Sequence, residues 1–322
     1  MGGRESSRRG LFRIVALLVA LVGTGLPAAG QTLPDFQNAN PRALVQALKT
    51  APRDDRATIA AVLVARRAQA LPVLRESVRS GDRAEKLIAC SLIAEMRDRD
   101  SVDTLLAATA DPDVKVRRRA ATALRILADH RSAPRLRQLV GSEGDLGVLK
   151  TALAALGRLG QRGDRALIEP FLAHDDDGVR VVAAGALAML GDQQGLDLVI
   201  QATYAADPGV QKSATYALGF FPAGAAGERL QAILDDPQGA WKGYALVALG
   251  ERRLAAQTTS EQVATLDALA GGRSRTLAEW AVDRLTDIGN ADAAAVLRKL
   301  RDRQTPVGAM AERRLRALET TP

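Results

Sequence analysis

Two histidines, one cysteine and one run of three aspartates are the residues of this 322-residue chain whose types most invite chemistry. Catalysis and metal binding need an acid, a base, a nucleophile or ligands that converge. His130 and His174 fall in different segments, and neither has a His or Cys at zinc-ligand spacing. His174-Asp175-Asp176-Asp177 has the charge to attract calcium but lacks the spaced carboxylates of a calcium loop. Acidic residues ahead of a helix serve more simply as its caps. No phosphate-binding or dinucleotide glycine motif opens a helix. Cys90 is a lone thiol in a helical segment and reads as a small packing residue. These residues predict no catalytic group, no metal and no cofactor, hence a non-enzyme.

Two further groupings could bind rather than react. One is basic: Lys86, Arg117 with Arg118, Lys150, Arg180, Lys212 and Lys242 recur one or two residues into successive helices. Each follows an Asp-rich turn, so an ion-pair ladder between neighbouring units is the simpler reading. The denser group Arg117, Arg118, Arg119, Arg125, Arg131, Arg135 and Arg137 is less fully balanced and is the candidate for an acidic partner. The other grouping is apolar. Tyr216 and Phe220 lie four apart on one helical face, with Met189 and Val247 at matching places in the neighbouring units. Apolar side chains grouped on an outward face mark a contact surface, so these four residues are the candidate partner site.

The elements that must hold these groups are visible as a repeat. One helical phrase is written eight times, each copy starting 30 to 36 residues after the last, at Ala84, Val116, Val148, Val179, Val210, Trp241, Leu277 and Val307. Eight residues in, every copy has Leu: Leu92, Leu124, Leu156, Leu187, Leu218, Leu249, Leu285 and Leu315. Four residues in, all but the first have Ala, the exception being Ile88. These places form one stripe of a helix and are expected to be buried. Position six varies from Cys90 to Arg313, as a solvated face would. Trp241 and Tyr244 fall on or beside the stripe and are expected in the core. A second amphipathic helix completes each unit, as at Arg165–Leu172, Leu196–Thr203 and Ala291–Leu300, and Ser260 is the expected cap of a further one. A fixed period of this size predicts a stacked array with a long surface rather than a closed globule.

Composition agrees. Apolar residues are 47% and aromatics only 3%, so the core is built of Ala, Leu and Val. The formal charge is +7, but residues 1–30 carry four arginines against one glutamate. The remainder has 40 basic and 36 acidic residues, an excess too small to require nucleic acid. The N-terminus reads as an export signal: basic residues to Arg13, an apolar run from Ile14 to Val22, and small residues at Pro27-Ala28-Ala29-Gly30. The run is short for a membrane span. Ser7-Arg8-Arg9-Gly10-Leu11-Phe12 is similar to a twin-arginine signal, while a general secretory signal explains the same residues. A single Cys leaves an exported chain without an internal disulfide.

The unit Asp207-Pro208-Gly209-Val210, followed by Ala214 and Ala217-Leu218-Gly219, resembles HEAT repeats in the short form also named after phycobilisome lyases. Asp111–Leu127 and Asp175–Gly191 resemble it too, and the likeness spans Asp54 to Leu318. It implies an all-α, right-handed α-α superhelix of about eight helical pairs plus caps. The expected organisation is a signal peptide at 1–30, a linker at 31–41, a degenerate N-terminal capping repeat at 42–80, the array at 81–304 and a capping helix at 305–322. The expected function is a monomeric, non-catalytic scaffold that binds a protein partner in the periplasm or outside the cell, without stable membrane insertion once the signal is cleaved. The alternatives are a lyase-like or enzyme-accessory protein, suggested by the family resemblance alone, and a polyanion binder using Arg117 to Arg137.

Overall fold

The computed structural model of the chain describes Phe36 and residues 38–236, 241–255, 257–272, 274–303 and 305–319. The expected signal segment lies outside these residues, as does most of the linker. Every regular element among the described residues is a helix. The architecture is an all-α, right-handed superhelix of stacked helical pairs.

Three helices begin it: α1 (Pro41–Thr50), α2 (Arg53–Ala65) and α3 (Arg67–Ser80). Asn40 caps α1 by accepting from the Arg42 amide at 2.9 Å. Regular pairs follow: α4 (Arg83–Glu95) with α5 (Val102–Ala108), α6 (Val114–Leu127) with α7 (Ala133–Ser142), and α8 (Leu146–Leu159) with α9 (Arg165–Ile168). Next come α10 (Asp177–Met189) with α11 (Leu196–Ala202), α12 (Pro208–Ala217) with α13 (Ala225–Asp235), and α14 (Lys242–Ala255) with α15 (Thr259–Ala270). The pair α16 (Arg275–Ile288) and α17 (Ala291–Arg301) precedes the single final helix α18 (Pro306–Glu319).

The Asp turns start α4, α6, α8 and α10 by a common device. The carboxylates of Asp82, Asp113, Asp145 and Asp176 accept from the backbone amides of Glu85, Val116, Val148 and Val179. That satisfies donors which have no partner inside the helix. Two boundaries differ from expectation. Helix α9 is only one turn long and passes into a 3-10 segment at Glu169–Ala173. Pro170 lacks the amide proton an α-helix needs there. Helix α15 is capped by Thr258, not Ser260, because Glu261 returns its carboxylate to the Thr258 amide at 2.8 Å and closes a capping box.

Five of the first helices, α4, α6, α8, α10 and α16, end on a left-handed residue. Gly160, Gly191 and Gly289 occupy it freely, while Arg97 and Ala128 hold φ of 52° and 47° in the equivalent place. A non-glycine residue there costs about 1–2 kcal/mol. The repeated Ala residues are all fully buried, and so is the Leu stripe, with Leu249 half-covered. Small residues let these helices approach closely. A Cβ on Gly157 or Gly219 would come within 2.7 Å of the backbone of Ala186 or Ala248 in the next unit.

Lys86 pairs with Asp111 at 2.7 Å, Arg117 with Glu143 at 2.9 Å and Lys150 with Asp176 at 3.3 Å. Each cation thus reaches the acidic turn of the following unit. Trp241 is half-buried and donates to the Gln211 side chain at 2.9 Å. Tyr244 is exposed, contrary to the expectation of a core position, with Lys212 lying over its ring at 5.8 Å.

The array does not stay open, and this corrects the expectation of a long free surface. Arg97, just after α4, pairs with Asp287 of α16 and lies 3.6 Å from Asp283. Arg314 of α18 donates to the Glu95 carbonyl at 2.8 Å and to Asp283 at 3.0 Å. Helix α18 also packs on α2. Halfway round, Arg158 of α8 reaches Asp287 at 2.6 Å. The superhelix curls until its last units meet its first. Position six is therefore not a solvated face. Cys90 is fully buried there, and burial pushes its thiol up to about 12. Tyr216, at the same position, faces the interior of the curl.

Candidate functional site

Closure leaves a cavity of about 1230 Å³ on the inner side of the curl. Its walls are the C-terminal ends of α6, α8, α10, α12, α14 and α16. The inner face therefore belongs to the helices that carry the Ala-Leu phrase, not to the second helices of the pairs. Helix C-termini present unpaired carbonyls and a partial negative charge, which cations offset. Arg252 does this by donating to the Leu218 carbonyl at 2.9 Å and the Phe221 carbonyl at 3.2 Å.

Around Asp287 the cations are shared. Arg97, Arg158 and Arg284 all pair with this one carboxylate, and Arg284 lies 3.6 Å from Glu251. Burial lowers the affinity of the Arg97 guanidinium for its proton, and Asp287 opposes that shift. Three guanidiniums on one carboxylate leave the inner face basic.

Arg125 is different. It lines the cavity half-buried, yet it makes no ion pair or hydrogen bond among the described residues. Burial lowers its proton affinity, and the like charge of Arg158 adds to that. The Tyr216 hydroxyl likewise makes no hydrogen bond among the described residues. Burial and the Glu251 charge push its pKa up, while Arg158, Arg125 and Arg284 are near enough to pull it down. The Tyr216 ring meets Phe220 edge-on, with centroids 5.1 Å apart, an arrangement favoured by aromatic quadrupoles.

The structure thus brings together three residues of the expected apolar patch, Met189, Tyr216 and Phe220, on the cavity wall. Val247 is buried in the packing between helices and does not join them. The expected basic group is dispersed. Arg117 and Arg137 pair with the next unit, at Glu143 and, at 2.5 Å, at Asp164. Arg131 pairs with Asp129 at 3.0 Å, and Arg135 donates to the Thr109 hydroxyl at 2.7 Å. Arg118 and Arg119 remain on the exposed side of α6, and Arg125 turns inward. Sequence reasoning missed Arg158, Glu251, Arg284 and Asp287. Their shared signal was a place ten residues into the phrase for Arg158, Glu251 and Asp287, the place Met189 and Phe220 also hold.

Two of the three aspartates beside His174 have structural partners. Asp176 caps α10 and bonds Lys150, Asp177 pairs with Arg180, and the His174 ring accepts from the Asp176 amide at 2.9 Å. No single helix among the described residues is long and apolar enough to cross a membrane.

The family described as HEAT repeats matches residues 71–157 and 165–250, together more than half of the chain. No curated protein matches. Among solved structures, the complex of CpcE and CpcF of phycocyanin lyase from Nostoc sp. PCC7120 is similar at 23% identity and a TM-score of 0.53. That match covers 77% of this chain and 99% of the other. Human deoxyhypusine hydroxylase in complex with glycerol matches at 14% identity and a TM-score of 0.36, over 81% of this chain and 98% of the other. A designed armadillo repeat protein in complex with the peptide (KR)4 matches at 15% identity and a TM-score of 0.34, over 56% and 99%. At these identities the likeness to the lyase complex is one of fold.

Proposed function

This chain belongs to the HEAT-repeat family, and from that premise we propose that it is a non-catalytic scaffold of the cell envelope that binds a protein partner on its inner face. HEAT arrays are in general interaction scaffolds. The observation that carries the reading is the convergence of Met189, Tyr216 and Phe220 on the inner cavity, where apolar rings and polar donors are left available. A cavity that mixes an apolar wall with a few polar groups is what recognition sites are made of. Export rests on the basic, apolar and small-residue order of residues 1–30. The polyanion reading is weaker, because Arg117, Arg131 and Arg137 are already committed to acidic partners within the chain.

The test is affinity capture from the native envelope fraction, eluted by rising salt and identified by mass spectrometry. A defined protein that survives high salt, and is lost with the Tyr216→Ala, Phe220→Ser double variant, supports the reading. Capture of salt-labile acidic polymer alone would overturn it.

A further inference from the structure

We infer that the inner cavity takes the C-terminal end of a partner chain, holding one carboxylate between Arg125 and the Tyr216 hydroxyl and an apolar side chain against Phe220 and Met189. This rests on the protein-scaffold reading and names the chemistry of the partner.

Three observations lead to it. The first is an imbalance of charge. The other cavity cations that are not exposed have partners: Arg252 on helix-end carbonyls, and Arg97, Arg158 and Arg284 on Asp287. Arg125 has none among the described residues, although burial and Arg158 both disfavour its charge. A half-buried guanidinium that faces a cavity with no acceptor from the described residues is open to an incoming carboxylate, which offers it a charge-assisted hydrogen bond. The second is a second donor. The Tyr216 hydroxyl lacks a partner among the described residues, lines the same cavity as Arg125 and feels its charge. One free guanidinium and one free hydroxyl suit one carboxylate, not a run of acidic residues.

The third observation concerns size and access. A cavity of about 1230 Å³ exceeds the roughly 300–1,000 Å³ of ordinary small-molecule sites and accommodates several residues of peptide. Contacts from Arg97 and Arg314 close the curl around it. A chain end enters such a space without the curl opening, whereas an internal segment has to enter as a loop. Phe220 and Met189 then provide the apolar seat beside the carboxylate.

The experiment is affinity selection with the purified full chain from a synthetic random hexapeptide library, made once with free C-terminal carboxylates and once amidated, and read by mass spectrometry. The expected result is enrichment of free-acid peptides that end in apolar or aromatic residues. Amidation should weaken the selected peptides about 10- to 100-fold, as should Arg125→Met, since a charge-assisted hydrogen bond is lost. Arg125→Lys, which keeps the charge and loses the planar fork, should recover part of the affinity. A melting curve for each variant separates lost binding from lost fold, and a Tyr216→Phe variant removes the second donor should Arg125→Met not fold. Absence of enrichment overturns the inference, and so does enrichment that ignores amidation or Arg125→Met.

A parallel titration uses 8-anilinonaphthalene-1-sulfonate and its uncharged analogue N-phenyl-1-naphthylamine. Arg125-dependent binding of the sulfonate with no peptide enrichment would assign the cavity to a small amphipathic anion instead. A partner captured from the envelope with no dependence on Arg125 would leave the scaffold reading standing while this inference fails.

Discussion

Arg117 and Arg125 stand eight residues apart on the same helix, and their fates are opposite. Arg117 lies on the outer rung, where Glu143 of the next unit receives it through two hydrogen bonds at 2.9 and 3.0 Å. Arg125 lines the cavity, close enough to feel the charges of Arg158 and Tyr216, with no acceptor among the described residues. The outer rungs of the first units, Lys86–Asp111, Arg117–Glu143 and Lys150–Asp176, are matched charge that ties one unit to the next. The inner face carries charge in excess, collected around Asp287 where the ends of the array meet. Cations matched within the fold contribute stability. A cation left unmatched costs stability and is available for binding.

The comparison is broken most severely at Asp287. Asp287→Ala leaves Arg97, Arg158 and Arg284 together without their shared carboxylate. The expected loss is about 3–5 kcal/mol, as for a buried ion pair that loses one partner. Chemical denaturation measures it, and faster hydrogen exchange in α2 and α18 should show that closure has loosened. An unchanged exchange pattern would mean the contacts around Asp287 do not hold the curl.

Arg117→Met should cost about 1.5–3 kcal/mol, the range for hydrogen bonds to a charged group, because it leaves the poorly exposed Glu143 carboxylate unmatched. The same rung should show in the pH dependence. The Arg117 hydrogen bond holds the Glu143 pKa below its ordinary 4.5. A carboxylate depressed in the folded state contributes stability above its unfolded value and loses it as pH falls through the folded one. The stability gap between the unaltered chain and Glu143→Gln should therefore be full above about pH 5 and close as the solution is acidified. Thermal melts across that range test it, and a gap that widens in acid would contradict the assignment. Smallest of all is the expected effect of Arg125→Met, within about 0.5 kcal/mol of neutral, since it removes a half-buried charge that has no acceptor among the described residues. A large loss there would place Arg125 among the matched cations and erase the distinction.

Much of the fold was legible because the repeat states its own geometry. The Ala and Leu positions of the phrase are the buried stripe, and the Asp turns are the caps, since both depend on contacts within one helix or between adjacent units. Boundaries slipped where a local competitor won, as with Pro170 shortening α9 and Glu261 selecting Thr258 as cap. Half of the candidate site was legible as well. Tyr216 and Phe220 declare themselves by four-residue spacing, but an outward position on one helix does not tell solvent from the inside of a curl. Outward on a helix became inward on a curl. Arg125 sat in the candidate basic group among residues that the structure sends elsewhere, and nothing local distinguished it.

The sequence by itself determined the helical pairs, their order, the stripe each buries and the charge on every rung, because helix periodicity and capping act over a few residues. Only the tertiary structure decided that the array closes, that Asp287 gathers cations from units 129 and 190 residues away, and that Arg125 is left over. Small rotations between successive units add up along a repeat array, and no single unit records their sum.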